Sequence, residues 1–572
     1  MFTFNGQTYT VPGVYGTVEI INVGGSTLPV FNVLLALGPA KKGIPYSATG
    51  KKGYEVIKPF SDEQSAKNYY GVSKLTTAMS YHKAAGAGVV FFLNSAALTL
   101  ASAVIKDNQG SPANTFGVSP ADQFYGAAGN DIELTIATSN GTTTITITPP
   151  KLTKFLSANA STSSPYLQLD DVEGLVVGQT VLVTSNAAAG AADSLTIAAI
   201  DTVNNQITLS GNPGTAWATA DYARIYQEDT NNAQVGTFTA TNTVNDVINW
   251  INSGSILVAT RSTYTGIIPT TLAKTQLQLI SGATKGTSPD ATETVGGDYD
   301  TIASDIPQMF EEFENYNGFR IRLVNLLTPT ASVHAVFKTL TLTLRNSQKS
   351  IKLVTGCALG DYNKTTSDSD YPVQRAKTLN SQDVVLAGMG LDGIDAYQSL
   401  APFYAGLVSA NSVKHNSTND NVSATTVEFT LGEFNKATLT TSLVGAGVLV
   451  AGTGKNGFYI VMGVNTYQYQ TTQWNATDKA TYLNMQRDIV DYVYEGYKDQ
   501  MELGVGADGY DATVARAQGL SILKTYYEGG FITDYQMISS VQQGNAVITN
   551  PKILPLEGTD YAGFTLSVLI NN

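Results

Sequence analysis

Short apolar segments that alternate with helical segments restrict the fold of this sequence more than any other feature. The segments "PVFNVLLALG", "GVVFFLN", "FRIRLVNLL", "KSIKLVTGCAL" and "DVVLAGMG" are each typical of one buried strand. Helical segments such as "KLTTAMSYHKAAG", "ASVHAVFKTLTLTLRNSQ" and "YQSLAPFYAGLVSANSV" lie between or after them. Apolar strands connected by helices favour a parallel sheet covered on both faces. The sequence therefore predicts a doubly wound α/β core domain over residues 28–110 and 229–425.

Size and composition indicate several domains and extensive contacts between subunits. The chain has 572 residues, of which 43% are apolar and only 14% are charged. By length, such a chain forms roughly three to five domains. A large surface with few charges is typical of a protein that buries much of its exterior against other subunits.

Charge and hydropathy argue against nucleic acids and membranes as partners. The net charge is −13 and no run of Lys or Arg exceeds two residues, so we expect no direct nucleic-acid binding. No apolar segment has the length of a membrane span, so we expect no membrane insertion. The first residues, "MFTFNGQTYT", lack the basic and apolar regions of a secretory signal.

Both ends of the chain are strand-like and have no evident partner. Near the start, "YTVPGVYGTVEI" alternates apolar and polar residues after Pro12-Gly13, and no hairpin turn follows it. The last residues, "YAGFTLSVLINN", alternate in the same way. Because strand backbones must form hydrogen bonds, each end needs a partner from elsewhere. We predict an N-terminal extended arm over residues 1–27 and a C-terminal strand arm over residues 546–572.

Two further regions differ in character from the α/β core. Residues 111–228 contain many short β segments, including a hairpin with Asn140-Gly141 at its turn, and predict an inserted β-rich sandwich or barrel domain. Residues 426–545 predict an α+β domain with a helix from about Ala476 to Met501. Apolar residues form one stripe along that helix at spacings of three and four: Tyr482, Met485, Ile489, Val493 and Tyr497.

The sequence offers no recognisable catalytic, cofactor or metal site. His82, His334 and His415 have no partner at metal-binding spacing, and the single Cys357 lies at the end of an apolar strand. The segment "GTGKNG" matches a dinucleotide-binding pattern, but a strand rather than a helix follows it, which favours a hairpin loop. Two acidic loops, residues 288–300 and 361–370, lack EF-hand spacing and favour solvated loops over calcium sites. We expect neither a cofactor nor an enzyme.

Several segments, read in order, resemble contractile tail sheath proteins of bacteriophages. These segments are "PGVYG", "GNDIELTI", "INWINSGSILV", "ASVHAVFKTL", "QRAKTLNSQDVVLAGMG", "LAPFYAGLVSAN" and "FYIVMGVNTY", the last followed by a helix that contains Arg487-Asp488. They extend over most of the chain, with the weakest resemblance at residues 150–228. In this family, such insertions vary and usually lie on the outer surface.

The resemblance implies how the two arms find partners. In sheaths of this family, each arm leaves its own subunit and adds a strand to the C-terminal-domain sheet of a neighbour. A contact of this kind does not close on itself, so it propagates into a helical tube of stacked hexameric rings. The implied arm residues are Tyr9, Val11, Val14, Tyr15, Val18, Ile20, Phe564, Leu566, Val568 and Ile570.

The resemblance also implies partners and a mechanism. The C-terminal domain would face an inner tail tube, and the sheath would contract from a metastable extended state to drive the tube through the host envelope. Baseplate and tail terminator proteins would be further partners, and the sheath would assemble in the host cytoplasm as part of the virion. Possible tube-facing charges are Lys479, Arg487, Lys498, Arg516 and Lys524.

Three alternatives stay open at the level of sequence. A sheath from a phage-derived, bacteriocin-like injection device would have the same sequence features. The α/β fold would also permit an enzyme, although no convergent set of titratable residues supports one. The Thr-, Ser- and Asn-rich β segments would suit a surface array or adhesin, but that class requires export.

Overall fold

The structure is a computed structural model that describes residues 2–4, 7–9, 33–187, 192–285, 287–288, 297–347, 349–428, 442–454, 457–468, 482–502, 511–543 and 546–556. Within these ranges, the largest hydrophobic core surrounds a seven-stranded central sheet. Smaller cores lie in two β-rich units and in the C-terminal region. The mixed α/β character predicted from the sequence is thereby confirmed.

The central sheet is parallel except at one edge. From edge to edge its strands are Val448–Leu449, Val384–Ala387, Lys352–Gly356, Leu323–Leu326, Leu34–Gly38, Val90–Asn94 and Lys58–Phe60. Only Lys58–Phe60 is antiparallel to its neighbour. Strand order reverses beside Leu34–Gly38, the first strand of the sheet in the sequence, which is the arrangement of a doubly wound sheet.

Helices pack on this sheet, and those at Lys74–Ala84, Ala331–Asn346 and Leu400–Ala410 lie in segments that the sequence predicts as helical. The helices are Gly53–Val56, Glu63–Tyr70, Lys74–Ala84, Gly297–Asn317, Ala331–Asn346, Pro372–Leu379 and Leu400–Ala410. One predicted start differs: the sequence suggests a capping box formed by Ser61 and Gln64, but Asp62 is the N-cap and accepts from the Ser65 amide at 2.7 Å. The Asp62 carboxylate takes this role because it stands one residue before the first turn.

The first β unit contains two small sheets and one helix. The four-stranded sheet consists of Gln234–Thr239, Thr142–Thr148, Glu133–Ser139 and Leu272–Gln276. The three-stranded sheet consists of Leu257–Thr260, Asn114–Pro120 and Ala103–Lys106. Asn140 and Gly141 have φ of 51° and 74°, which confirms the predicted tight hairpin.

Helix Val244–Ser253 packs in this core, not in the α/β core to which residues 229–425 were assigned. The domain boundaries as a whole stay a prediction.

A second, six-stranded unit follows the first hairpin. Its strands, in sheet order, are Pro150–Phe155, Arg224–Glu228, Thr180–Thr184, Asp193–Asp201, Gln206–Leu209 and Tyr166–Gln168. A buried ion pair connects this unit to the first one: Arg224 Nε and Nη2 donate to the Asp131 carboxylate at 2.7 and 2.6 Å. Asn186 accepts from the same guanidinium at 3.0 Å.

The C-terminal region combines a small sheet, two helices and a long hairpin. The small sheet contains Asn421–Val422, Gly457–Ile460 and Ala451–Gly454. Gly454 pairs with Gly457, so "GTGKNG" closes a hairpin, as predicted. The helices are Asn484–Glu502 and Ala512–Glu528, and residues 476–481 of the predicted first helix lie outside the described part of the chain. The hairpin pairs Ile532–Gln543 with Ala546–Pro555, and we call it the terminal hairpin.

Candidate assembly surfaces

The N-terminal arm is described only at its first residues. Phe2–Phe4 and Gln7–Tyr9 form a short antiparallel hairpin in which Tyr9 lies opposite Phe2. The resemblance implies that Tyr9 pairs with a neighbouring subunit, whereas here it lies in a strand that pairs within the chain. The remaining predicted arm residues of this end, Val11, Val14, Tyr15, Val18 and Ile20, lie outside the described residues.

The terminal hairpin changes the prediction for the C-terminal arm. The strand Ala546–Pro555, which was assigned to an arm over residues 546–572, pairs antiparallel with Ile532–Gln543 of the same chain. The alternation of apolar and polar residues within one strand does not show which other strand it pairs with, because that choice also depends on the partner strand. The predicted exchange residues Phe564, Leu566, Val568 and Ile570 lie outside the described part of the chain.

One face of the terminal hairpin is fixed to the C-terminal helices. Met537 is 3% exposed and belongs to the core that these helices share. Ser540 Oγ donates to the carbonyl of Ala512 at 2.6 Å, and Tyr497 donates from its hydroxyl to Thr549 Oγ1 at 3.0 Å. The hairpin is therefore held as a ribbon against the helices.

The terminal hairpin also has exposed apolar side chains and open strand edges, which suit it to binding a further strand. Four large apolar side chains on its strands are 40 to 48% exposed: Ile538, Val541, Ile548 and Leu554. Val541 and Ile548 are directly opposite each other in the register. Among the described residues the sheet has two strands, so neither outer edge pairs with a further strand there. An open edge beside exposed apolar side chains is a template for an added strand.

The predicted tube-facing charges differ in their surroundings. Arg516 and Lys524 are exposed on helix Ala512–Glu528, where Lys524 Nζ lies 3.5 Å from Glu528. Lys498 is half-buried. Arg487 is instead paired with Asp491 and donates to Gln382 at 3.2 Å, which argues against a contact with a tube. Lys479 lies outside the described residues.

A solved structure shares this fold over almost the full chain. The sheath tail protein of Listeria innocua aligns with a TM-score of 0.50 and 11% identity, over 93% of this chain and 94% of that one. The chain has the fold of sheath tail proteins. The sheath tail protein of Desulfitobacterium hafniense aligns with a TM-score of 0.48 and 12% identity, over 94% of this chain and 100% of that one. The contracted helical sheath of the anti-feeding prophage aligns over 49% of this chain and 77% of that one, with 11% identity and a TM-score of 0.35. No family model and no curated protein matches the sequence.

In this sheath fold, the carboxyl edge of the central sheet is occupied by the chain itself. Doubly wound enzymes bind ligands at this edge, beside the point where strand order reverses. Here Leu327 fills that point, since a Cβ on Gly38 would lie 2.8 Å from the Leu327 Cβ. The Asn94 side chain accepts from the amides of Ala40 and Ala96 at 2.9 and 3.0 Å. The Asn94 side-chain oxygen is therefore engaged in holding the loops that contain Ala40 and Ala96.

A second polar group at the same edge is also engaged within the chain. The Glu428 carboxylate accepts from the backbone amides of Gly390, at 2.7 Å, and Gly360. Burial raises the pKa of this carboxyl group, while the two amides act in the opposite direction. The amides that follow two neighbouring strands are therefore satisfied by a side chain of the same molecule.

Metal-binding and membrane-spanning features are absent from the parts that the structure describes. No helix in those ranges is both long and apolar enough to cross a bilayer. No cluster of three or more His, Cys, Asp or Glu side chains there has the arrangement of a metal site. Two histidines are buried in the core instead: His82 contacts Asn325 Oδ1 at 2.9 Å, and His334 contacts the Thr328 carbonyl at 2.7 Å.

A layer of buried charges in the sheath fold was missed by sequence reasoning. Helix Asn484–Glu502 carries Asp488, Asp491 and Glu495 at 7%, 8% and 2% exposure, each paired with cations beside the central sheet. Their spacing of three and four residues was a signal, because it places them on one helix face. The apolar stripe of the same helix indicates a hydrophobic packing face and does not by itself indicate buried charges.

Proposed function

We propose that this chain is the structural subunit of a contractile tail sheath. It polymerises as hexameric rings around an inner tail tube, and its contraction drives the tube through the host envelope during genome delivery. The observation that carries this proposal is the sheath fold shared with the Listeria protein over 93% of this chain. The low charge content agrees with a surface that is mostly buried in an assembly.

The terminal hairpin is the proposed acceptor for arms from neighbouring subunits. Its open edges supply backbone donors and acceptors, and Val541 and Ile548 supply apolar contacts on one face. Residues 14–20 and 564–570 have the alternation that such an added strand needs. Main-chain hydrogen bonds would give the affinity, and the alternating side chains would fix the register.

The proposed contact with the tail tube uses exposed cations of the C-terminal helices. Arg516 and Lys524 are both exposed and lie on one helix, two turns apart. Exposed ion pairs are individually weak. Such contacts would align the subunit on the tail tube and still allow the subunit to slide along it. Arg487 is left out of this surface because Asp491 already occupies its guanidinium.

Contraction is proposed to run on stored assembly energy. The extended sheath would be a kinetically trapped state that a baseplate signal releases ring by ring. Newly buried apolar surface would supply about 25 cal/mol per Å². The arms would keep neighbours connected while the bodies between them rotate. A tail terminator protein would close the far end, and assembly would occur in the host cytoplasm.

A structural rather than enzymatic role is part of the proposal. Leu327, Asn94 and Glu428 occupy the carboxyl edge at which doubly wound enzymes place their ligands. The six-stranded unit is proposed to lie on the outer surface of the tube. Its buried Arg224–Asp131 pair would let it move with the first β unit.

Polymerisation of the purified protein tests the role directly. We expect negative-stain micrographs of the full chain to show long striated tubes, because the arms and the hairpin are both present. A variant that lacks Met1 to Gly25 should stay a folded monomer or short ring. Equal tube formation by the two proteins would contradict the arm assignment.

A point substitution on the hairpin gives a sharper comparison. Val541→Asp should reduce the tube yield strongly, because a carboxylate on this face would lie beside the side chains of the added strand, where an apolar contact is proposed. Val203→Asp is the matched control, since Val203 is 88% exposed at a turn of the six-stranded unit. Sedimentation of tubes from equal protein concentrations measures both variants. Equal losses in the two variants would contradict the role of the hairpin.

A further inference from the structure

The C-terminal helices and the central sheet have separate apolar cores. The core of the C-terminal unit contains Met485, Ile489, Tyr526 and Met537, together with further side chains from both helices and the terminal hairpin. Among the described residues, Val413 is the only member of this core that precedes Met485 in the chain. No residue belongs both to this core and to the core of the central sheet within the described ranges.

Buried ion pairs lie between the two cores, together with a neutral hydrogen bond in which Asn484 Nδ2 donates to the Tyr404 hydroxyl at 2.8 Å. On the helix side, the Asp491 carboxylate accepts from Arg345 Nη1 and Nη2, both at 2.9 Å, and Asp488 pairs with Lys352. Glu495 accepts from Arg320 Nη2 at 2.6 Å and from Ser350 Oγ at 3.0 Å.

The sheet side of this layer is the amino-terminal edge of the parallel strands. Arg322, Lys352 and Asp383 stand at or directly before the starts of three neighbouring strands. Arg322 pairs with Glu495, and Arg345 Nε donates to Asp383 at 2.7 Å. We call this set of residues the charged layer: Arg320, Arg322, Arg345, Lys352, Arg487, Asp383, Asp488, Asp491 and Glu495.

The physical properties of such a layer differ from those of a hydrophobic core. Buried ion pairs specify one alignment, because any other leaves charges unpaired. They gain little free energy from exclusion of water, because the cost of desolvating two charges offsets much of their attraction. Interfaces of this polar kind between parts of one chain allow relative motion more readily than hydrophobic ones.

We propose that the charged layer is a docking joint, at which the C-terminal unit is held in one orientation against the central sheet and can separate from it while both apolar cores stay closed. The joint would let the hairpin and its helices turn relative to the α/β body. The inference concerns a single chain and is independent of the sheath role. A failure of tube formation would therefore leave it standing.

Thiol labelling in the full chain tests the joint. Ser350→Cys places a half-buried thiol beside Glu495 in the charged layer, whereas the native Cys357 is fully buried in the core of the central sheet. A rise in the labelling rate of the first thiol above its rate in the unperturbed protein reports opening of the joint, and labelling of Cys357 reports opening of the sheet core. Ellman's reagent followed by peptide mass spectrometry separates the two rates.

Charge reversals then define the expected results. In the Ser350→Cys background, Lys352→Glu or Asp488→Lys should accelerate labelling of the introduced thiol by about tenfold or more, with Cys357 unchanged. The double reversal restores opposite charges and should return the rate most of the way. Unchanged labelling in the single variants, or no recovery in the double variant, would overturn the proposal.

If the charge-reversed variants fail to fold, urea titration of a protein with its native charges tests the same proposal. In Ser350→Cys alone, increasing urea should raise the labelling rate of the introduced thiol above its rate without urea at concentrations that still protect Cys357. A rise of both labelling rates over the same range of urea concentration would show one cooperative core and would overturn the joint.

Discussion

At the scale of single residues, stability depends on buried polar groups that have exact partners. The Arg224 guanidinium and the Asp131 carboxylate are both fully buried. Asp131→Asn would leave the arginine charge without its counter-ion and should lower the free energy of unfolding by about 3–5 kcal/mol. The double variant Asp131→Leu, Arg224→Met should cost less, because it removes both charges. Urea unfolding measures both, and a double variant less stable than Asp131→Asn would contradict this account.

A buried histidine makes stability depend on pH. Burial lowers the pKa of His82 from 6.5 to about 4, although its hydrogen bond to Asn325 acts in the opposite direction. The unfolded chain therefore takes up this proton at a higher pH than the folded chain. The contribution of His82 to stability is complete above pH 6.5 and is lost as the pH falls toward 4, by about 3 kcal/mol.

Replacement of His82 checks this dependence. His82→Gln removes the titrating group, so the stability difference between wild type and variant should shrink as the pH falls from 7 to 4.5. Urea midpoints at the two pH values give the comparison. A difference that is equal at both pH values would contradict the assigned role of His82.

At the scale of elements, close approaches decide which substitutions a strand or helix accepts. Strand Gln234–Thr239 packs under helix Val244–Ser253, where a Cβ at Gly236 would lie 2.5 Å from the Trp250 ring. Gly236→Ala should destabilise the first β unit by about 1–3 kcal/mol and change the fluorescence of Trp250. Gly88→Ala is the control, because its Cβ would enter open space. Equal stability of the two variants would contradict the packing described.

Element types were predictable where the sequence carries a local signal. Apolar runs predict the strands Leu34–Gly38 and Val384–Ala387, and the Asn140-Gly141 pair predicts its hairpin because few residues accept positive φ. The sequence places the cap of helix Glu63–Tyr70 at Ser61, but the structure has it at Asp62, since neighbouring Ser and Asp residues both suit an N-cap. Local patterns therefore predict elements better than their first residues.

At the scale of the whole molecule, packing between distant segments was beyond the sequence. Arg345 and Asp491 are 146 residues apart, and nothing in either segment alone indicates their pairing. Helix Val244–Ser253 has the periodicity of an α/β helix, yet it packs with the first β unit because the strands on either side of it belong there. The resemblance of many segments taken in order indicates the sheath fold, which no single pattern does.

The terminal hairpin connects the single chain to the proposed assembly. Its inner face belongs to the C-terminal core, and its exposed face and edges are the proposed acceptor for neighbouring arms. Strand addition at such edges would extend without closing, so one chain type would suffice to build a tube.

A helical cryo-EM reconstruction of tubes formed by the full chain tests this arrangement most directly. We expect the edges of Ile532–Gln543 and Ala546–Pro555 to carry additional strands contributed by the ends of adjacent subunits. Density that shows both edges bare, or residues 11–20 paired onto their own chain, would contradict the account.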